Sequence, residues 1–533
     1  MAWDATLRGL SVALVDKADF GGATSSNSLK IIHGGFRYLQ HADFRRMRES
    51  IVERRTLMHI APHLVHPLPV LLPIYGHGLQ GPEVFATALL INDLVSFDRN
   101  RLSDPQKHIP RGRVISKRSC LRHLPELDPQ GLTGGAIFYD AQVYHSERLI
   151  LAFLQSAAQA GAVLANYVEA TGFRLDGDRI RGVTARDVLG GGQFDIRART
   201  VVNACGPWVP HVQHLLNRPR SAAPLRYAKA INVITRSLFD RYAVGIPSRV
   251  AYRDADAMVN KGNRLLFVAP WRGRSIIGTM QAACHGGAVG DVSITEQDIQ
   301  GFLDEVNAAY PPARLQRDEV IFVHGGYLPL THIDARTGDV QLAKHEQIED
   351  HRQDGIHGLI SVTGVKYTTA RRVAVRVVDG VIAMQGKAPV RSRSAATTLY
   401  GGQIEQFDPF VQMQTASHAH HLGEQDMRRL IMNYGTAYPN VLKYLDTCPV
   451  PAPATLSQDA VMRAEVRYAV REEMAQRLSD VIFRRTELGT AGIPGDEVLS
   501  VCAAVMRAEL GWSSARVAHE YQLVHERQSF ARF

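Results

Sequence analysis

The chain has 533 residues and carries 61 Lys and Arg against 52 Asp and Glu, a formal charge of +9. That length exceeds what one hydrophobic core supports, so two or three domains are expected. A hydrophobic share of 45% and a charged share of 21% suit a globular chain, and the apolar run near Val84–Ile91 is too short to span a bilayer. No basic segment followed by an apolar core opens the sequence, so no secretory signal is read. Five cysteines are scattered without a CxxC pair, which argues against a zinc site or a disulfide framework and fits a reducing cytosol. The basic surplus suits an anionic partner: a phosphorylated substrate, a nucleotide cofactor or an acidic lipid. Nucleic acid is the weakest option, because no nucleic-acid-binding motif accompanies the charge.

In chain order, "LRGLSVALVDKADFGG" predicts a helix ending at Gly9, a buried parallel strand Ser11–Val15 and a loop at Gly21–Gly22. "DFRRMRESIVERR" (Asp43–Arg55) predicts a basic amphipathic helix, either a solvated face over a core stripe or a contact with an anionic membrane. Residues 83–97 have helical spacing. Ser146–Asn166 reads as a helix leading to a strand at Val163–Tyr167. Two antiparallel strands follow around a turn at Gly190–Gly192, and a buried strand lies at Thr200–Asn203. Arg226–Leu330 mixes short strands with one helix, Thr295–Ala309. "GLISVTGVKYTTARR" reads as strand, glycine turn, helix. After a linker in "KAPVRSRSAATTLYGG", helical patterns dominate from about Leu399 to the end.

The first strand ends on Asp16. In a dinucleotide fold such a carboxylate accepts ribose hydroxyls and lies about 20 residues beyond a G-x-G-x-x-G turn. Counting back from Asp16, that turn would begin before Met1, so the chain is expected to start inside the pyrophosphate-binding helix. Just after Asp16 comes "GATSSNSLKIIHGGFRYL" (Gly22–Leu39), crowded with hydroxyls and glycines. Thr24, Ser25, Ser26 and Ser28 can satisfy a nucleotide's polar atoms without adding charge. Gly34 and Gly35 let backbone approach a flat ring closely.

These segments, with "ERLILAF", "VVNACGPWV" (Val201–Val209), "FVAPWRGRSIIGT" (Phe267–Thr279), "VTGVKYTTARRVA" (Val362–Ala374) and "RRTELG" (Arg484–Gly489), resemble the FAD-dependent glycerol-3-phosphate dehydrogenases over nearly the whole chain. The resemblance implies an α/β fold. It comprises a Rossmann-like FAD-binding domain lacking its first strand and glycine turn (1–60, 135–215 and 340–395), an interleaved and mostly antiparallel substrate domain (61–134 and 216–339), and an all-helical C-terminal domain (399–533). It implies FAD contacts at Asp16, Thr24, Ser25, Ser26, Ser28, Lys30, His33, Gly34, Gly35, Val168, Ala204, Gly206, Gly364, Lys366 and Thr368. Lys366 would set a cation against the flavin N1–C2=O edge. Substrate contacts would fall to Arg37, Tyr38, Asn232, Thr279 and Lys344, with catalytic roles for His33, Arg37 and Lys366; His33 reads as a base or as a histidine buried beside the flavin. The implied chemistry is hydride transfer from C2 of sn-glycerol 3-phosphate to flavin N5, with electrons passed to quinone or oxygen. The implied setting is cytoplasmic, with peripheral membrane contact and a homodimer.

The sequence departs from the family pattern in its substrate pocket. The family's Lys-Gly-x-His is Lys229-Ala230-Ile231-Asn232, and Leu328 stands where Gly-x-Arg-Pro-Leu has its arginine. Leu29 replaces a serine, His145-Ser146 replaces an Asp-Asp pair, and Lys344 replaces an arginine, keeping the charge but losing the fork. Two alternatives therefore stay open: a flavin oxidoreductase of this fold acting on another hydroxyl or amine, and a flavin-free chain with a binding or structural role.

Overall fold

The computed structural model describes residues 1–78, 81–218, 225–251, 263–284, 292–334, 338–418, 422–445, 458–490 and 492–528. Short parallel strands form its nucleotide-binding part. Ala13–Val15 pairs with Val163–Ala165, and Val201–Asn203 pairs with Leu359–Thr363, which Gln347–Asp350 extends in antiparallel fashion. These are two separate small sheets. The helix Ala2–Leu7 packs against both of the long helices that cover them. Ala2 and Trp3 sit with Leu149 and Ala152 of helix Ser146–Gln159, and Ala5 sits with Val378 and Ile382 of helix Ala370–Met384.

A ten-stranded mixed sheet forms the second part. Its main path runs Val340–Leu342, Phe322–Ile333, Arg226–Arg236, Arg274–Ala283, Asn263–Trp271, Ala243–Ala251, Val65–Tyr75, Leu132–Val143 and Ile31–Ile32. Helix Glu296–Ala309 covers one face, burying Ile299, Phe302, Leu303 and Val306. Its start is fixed by a capping box in which Thr295 and Asp298 satisfy each other's backbone N–H groups. Two segments expected in the nucleotide-binding unit, residues 31–32 and 135–143, belong to this sheet instead. Pairing of Ile31–Ile32 with Leu132–Val143 carries the cofactor loop straight onto the substrate sheet. Strands Val168–Asp176, Arg179–Asp187 and Gln193–Arg197 form a small antiparallel sheet, with the Gly190–Gly192 turn as a hairpin.

The C-terminal part is helical, with two cores around Tyr434 and Tyr468 and around Leu478 and Met506. The segment expected to be a linker is packed. Ser394 and Leu399 are fully buried, and Ser394 Oγ accepts from Arg371, whose guanidinium also clasps Glu53. Buried ions need partners, and this pair fixes the segment. The basic helix is Phe44–Ile60, with Met47, Ile51 and Leu57 in the core. Arg48 and Arg55 both close on Asp98, and Arg54 reaches Asp140. Its cations are thus largely committed within the protein.

Candidate active site

Several strand ends converge on one crevice, the place where open α/β sheets bind ligands. Asp16 ends the first strand. Its N–H donates to Ala165 O at 3.0 Å and its carboxylate accepts the Ala18 N–H at 3.1 Å. Burial pushes this carboxyl up to about 6. Lys17 stands 4.6 Å over the Trp208 ring, which brings that strand end against the turn Gly206–Trp208. Ala204 and Gly364 are exposed at the ends of the other two parallel strands, and Val168 N–H donates to Asp16 O at 2.8 Å. Gly206 has φ +54°, and the space beside its Cα and that of Gly364 is open. Bare backbone N–H groups at glycine turns leading into helices suit phosphates and a flat ring. An acidic acceptor at one strand end and open glycine turns at the others fit the ribose and the flat ring of a dinucleotide cofactor.

The loop Gly22–Lys30 closes over this crevice. Ser25 is exposed, Ser26 Oγ donates to Gly21 O at 2.5 Å, and Ser28 Oγ accepts from Lys30 N at 3.3 Å. Thr24 Oγ1 exchanges hydrogen bonds of 3.1 Å with both backbone groups of Tyr327, pinning the loop to the substrate sheet. Thr368 is buried in the first turn after Gly364. Lys30, expected to contact the cofactor, is buried within the protein. Its buried ammonium donates to Ser26 O, Ser146 Oγ and Glu147, the last at 2.9 and 3.1 Å. Burial pulls this lysine below its usual range against the opposing effect of the Glu147 carboxylate, and Glu147 itself falls to about 2.

His33 follows the short strand Ile31–Ile32. Its Nδ1 lies 3.1 Å from Asp140 Oδ2, and its side chain is 45% exposed. Asp140 is buried and also accepts from Gly34 N at 2.5 Å and Arg54 Nη1 at 3.3 Å. Burial alone would raise this carboxyl, but His33, Arg54 and the Gly34 N–H outweigh it and hold Asp140 below its usual range. An ionised carboxylate at Nδ1 puts the ring proton there and leaves the Nε2 lone pair free. Gly34 and Gly35 are required by this packing: a Cβ at Gly34 would lie 2.0 Å from Arg54 Nη1, and one at Gly35 2.9 Å from Met47 Cα.

On one side of His33, its ring lies 6.0 Å from that of Phe267, which pairs with Gly278. Beside Gly278, Asn232 Oδ1 accepts from Thr279 Oγ1 at 2.7 Å. On the other side, Lys366 donates to Tyr38 OH at 3.0 Å and Ser50 Oγ at 2.8 Å, and Arg46 stacks on the Tyr38 ring at 4.4 Å. Arg37 is exposed and makes no ion pair among the described residues. Leu328 is half-buried next to the strand position of Tyr327 that holds Thr24, and Ala343 N donates to Pro329 O at 2.8 Å, bringing Lys344 beside it.

Two features escaped the sequence reading. Asp140 sits in the apolar strand Leu132–Val143, 107 residues from its histidine, and no spacing announces it. Asp19, buried just before the loop, meets Arg484 and Arg485, the latter in a bidentate pair at 2.7 Å. The "RRTELG" motif was visible, but its carboxylate partner was not.

Residues 1–372 match the family model for FAD-dependent oxidoreductases, and residues 392–517 match the C-terminal domain of alpha-glycerophosphate oxidase. A glycerol-3-phosphate dehydrogenase of Synechocystis is 30% identical, covering 98% of this chain and 93% of the relative. The chain belongs to the FAD-dependent glycerol-3-phosphate dehydrogenase family. A probable mitochondrial member from Caenorhabditis elegans is 31% identical over 97% of this chain and 69% of its own length. The glycerol-3-phosphate dehydrogenase of Bacillus halodurans, solved with FAD, shares the fold with a TM-score of 0.76 at 24% identity, over 100% of this chain and 92% of that one. FAD is the cofactor of this family.

Proposed function

We propose that this protein oxidises sn-glycerol 3-phosphate to dihydroxyacetone phosphate, with His33 as the base. The observation that carries this reading is the His33–Asp140 pair on the segment that links the two halves of the site. When bound, FAD takes up the hydride that leaves C2 of the substrate. His33 Nε2 accepts the C2 hydroxyl proton, and Asp140 holds the ring and stabilises the imidazolium that results. Arg37 and Lys344 supply the cations a phosphate dianion requires, Tyr38 adds a hydroxyl to them, and Lys366 keeps its cation for the flavin edge. The Asn232–Thr279 pair presents neutral polar groups toward the glycerol end. Leu328 takes one charged contact away from the phosphate, which favours the alternative of a differently charged hydroxyl substrate. Purified protein loaded with FAD and mixed anaerobically with sn-glycerol 3-phosphate, glycerol or a secondary amine decides between them. Bleaching by the phosphate ester alone supports the proposal; bleaching by another substrate alone supports the alternative.

No helix among the described residues is long and apolar enough to cross a membrane. Leu90, Leu94 and Phe97 nonetheless form an exposed stripe on and just after helix Pro82–Val95, at 61%, 66% and 70% exposure. The exposed Arg101 lies 5.8 Å from the Phe97 ring. Apolar side chains rimmed by arginine suit an anionic bilayer surface, where a quinone would take the electrons.

A further inference from the structure

A small cavity lies where the cofactor loop, the tip of the hairpin Asn263–Trp271/Arg274–Ala283 and the C-terminal helices meet. None of the residues assigned above to proton transfer or substrate binding lines it. Its volume is about 30 Å³. That is room for more than one water or for one small ion, and too little for a phosphate ester.

Arg272 enters this cavity from the hairpin turn, with φ +50°. Its guanidinium stacks between the Tyr144 ring at 4.3 Å and the Trp271 ring at 4.9 Å. Nη1 donates to Thr490 Oγ1, whereas Nε and Nη2 are buried without an acceptor, and the side chain is only 7% exposed. Glu487 is 4.0 Å from Nη2, beyond hydrogen-bond reach; despite burial, the Arg272 charge holds this carboxyl below its usual range, and its oxygens accept from Asn433 and Tyr144. From the far side comes Arg527, 4.6 Å from the Phe483 ring and without an ion pair or hydrogen bond among the described residues. The third cation, Lys30, is already taken by Glu147. Buried guanidinium N–H groups left without acceptors cost more than a lost hydrogen bond.

Two carboxylates, Glu147 on the cavity wall and Glu487 behind Arg272, offset part of the three cations. His145 and His324 are pushed down to about 3, first by burial and then by Arg272 and Lys30 respectively. Arg527 falls to about 9, through burial and then Arg484.

We propose that this cavity binds one free inorganic oxyanion of the phosphate class, held between Arg272 and Arg527. The anion accepts the unpaired Nε and Nη2 hydrogens of Arg272 and links the hairpin tip to the last helix, behind the loop residues Ser26 and Asn27. The site is separate from the substrate's phosphate pocket, so its occupancy does not depend on the reaction proposed above.

Equilibrium dialysis of the FAD-loaded protein against radiolabelled inorganic phosphate tests it, with wild type beside Arg272→Gln and Arg527→Gln. The expected result is one phosphate bound in addition to any at the substrate pocket, its affinity falling at least tenfold in each variant, while phosphate inhibition of sn-glycerol 3-phosphate oxidation, which reads the substrate pocket, is unchanged. Absence of bound phosphate, or an affinity unaltered by both substitutions, overturns the proposal. Should Arg272→Gln fail to fold, Arg527→Gln on the terminal helix decides alone.

Discussion

Asp140 Oδ2 and His33 Nδ1 stand 3.1 Å apart, the carboxylate buried and the imidazole partly open to solvent. This orientation gives the site a proton acceptor that does not depend on Asn232, the amide found where the family has a histidine. His33→Asn should lower kcat by about 10²- to 10⁴-fold, the usual worth of general base catalysis, with FAD content unchanged. In Asp140→Asn the ring loses its tautomer and the fall should be of similar order. A steady-state pH profile checks both: the acid limb of wild type should disappear in His33→Asn. A kcat within threefold of wild type would remove His33 from the mechanism.

Leu328 withholds one charged contact from a phosphorylated substrate. Leu328→Arg should restore about 1.5–3 kcal/mol, a roughly 10- to 100-fold lower KM for sn-glycerol 3-phosphate. Adding Asn232→His should give less, because the Cβ position of Gly278 lies 1.9 Å from Asn232 Oδ1 and a larger ring has little room. Unchanged KM in Leu328→Arg would mean the phosphate lies elsewhere.

Asp19 neutralises Arg484 and Arg485 in the protein interior. Removing one partner of a buried ion network costs about 3–5 kcal/mol, because the other charges stay buried. Asp19→Asn should therefore lower the thermal midpoint and, through the adjoining Gly21–Lys30 loop, weaken FAD retention. Thermal denaturation followed by flavin fluorescence reads both effects.

The Lys30–Glu147 pair predicts an acid-sensitive segment of the stability curve. Glu147 falls from 4.5 to about 2 on folding, so its contribution is complete above pH 4.5 and is lost as pH falls toward 2. Burial of Lys30 opposes the gain. Urea denaturation between pH 5 and pH 3 should show a shallower pH slope in Glu147→Gln than in wild type.

The stripe of Leu90, Leu94 and Phe97 should be the part that meets lipid. Leu90→Asp with Leu94→Asp should reduce sedimentation with vesicles containing phosphatidylglycerol at least tenfold, with dye-linked activity in solution unchanged. Equal sedimentation would move the contact to another face.

The parallel strands and glycine turns around Asp16, Gly206 and Gly364 were legible in the sequence, because tight turns favour glycine and parallel strands read as continuous apolar runs; the burial expected of the first strand was not met, since Ala13 is exposed and Leu14 and Val15 are half-buried. The helical C-terminal part was legible for the same kind of reason, its spacing. What could not be read were pairings across long separations. Lys30 looked like a cofactor contact beside the hydroxyl run, yet Glu147, 117 residues later, draws it into the interior. Asp140 is one acidic residue in an otherwise apolar strand, and its role exists only once that strand pairs with Ile31–Ile32. The segment before Leu399 has a linker's composition, but the Arg371–Glu53 pair beneath it supplies partners for its polar side chains.

The most direct test of the account is anaerobic single-turnover bleaching of the FAD-loaded protein by sn-glycerol 3-phosphate, protiated and deuterated at C2, in wild type and His33→Asn. The account predicts bleaching of one FAD per chain, slower with deuterium, and at least a hundredfold slower in the variant. Failure to bleach with this substrate, or bleaching at the same rate without the imidazole, would contradict it.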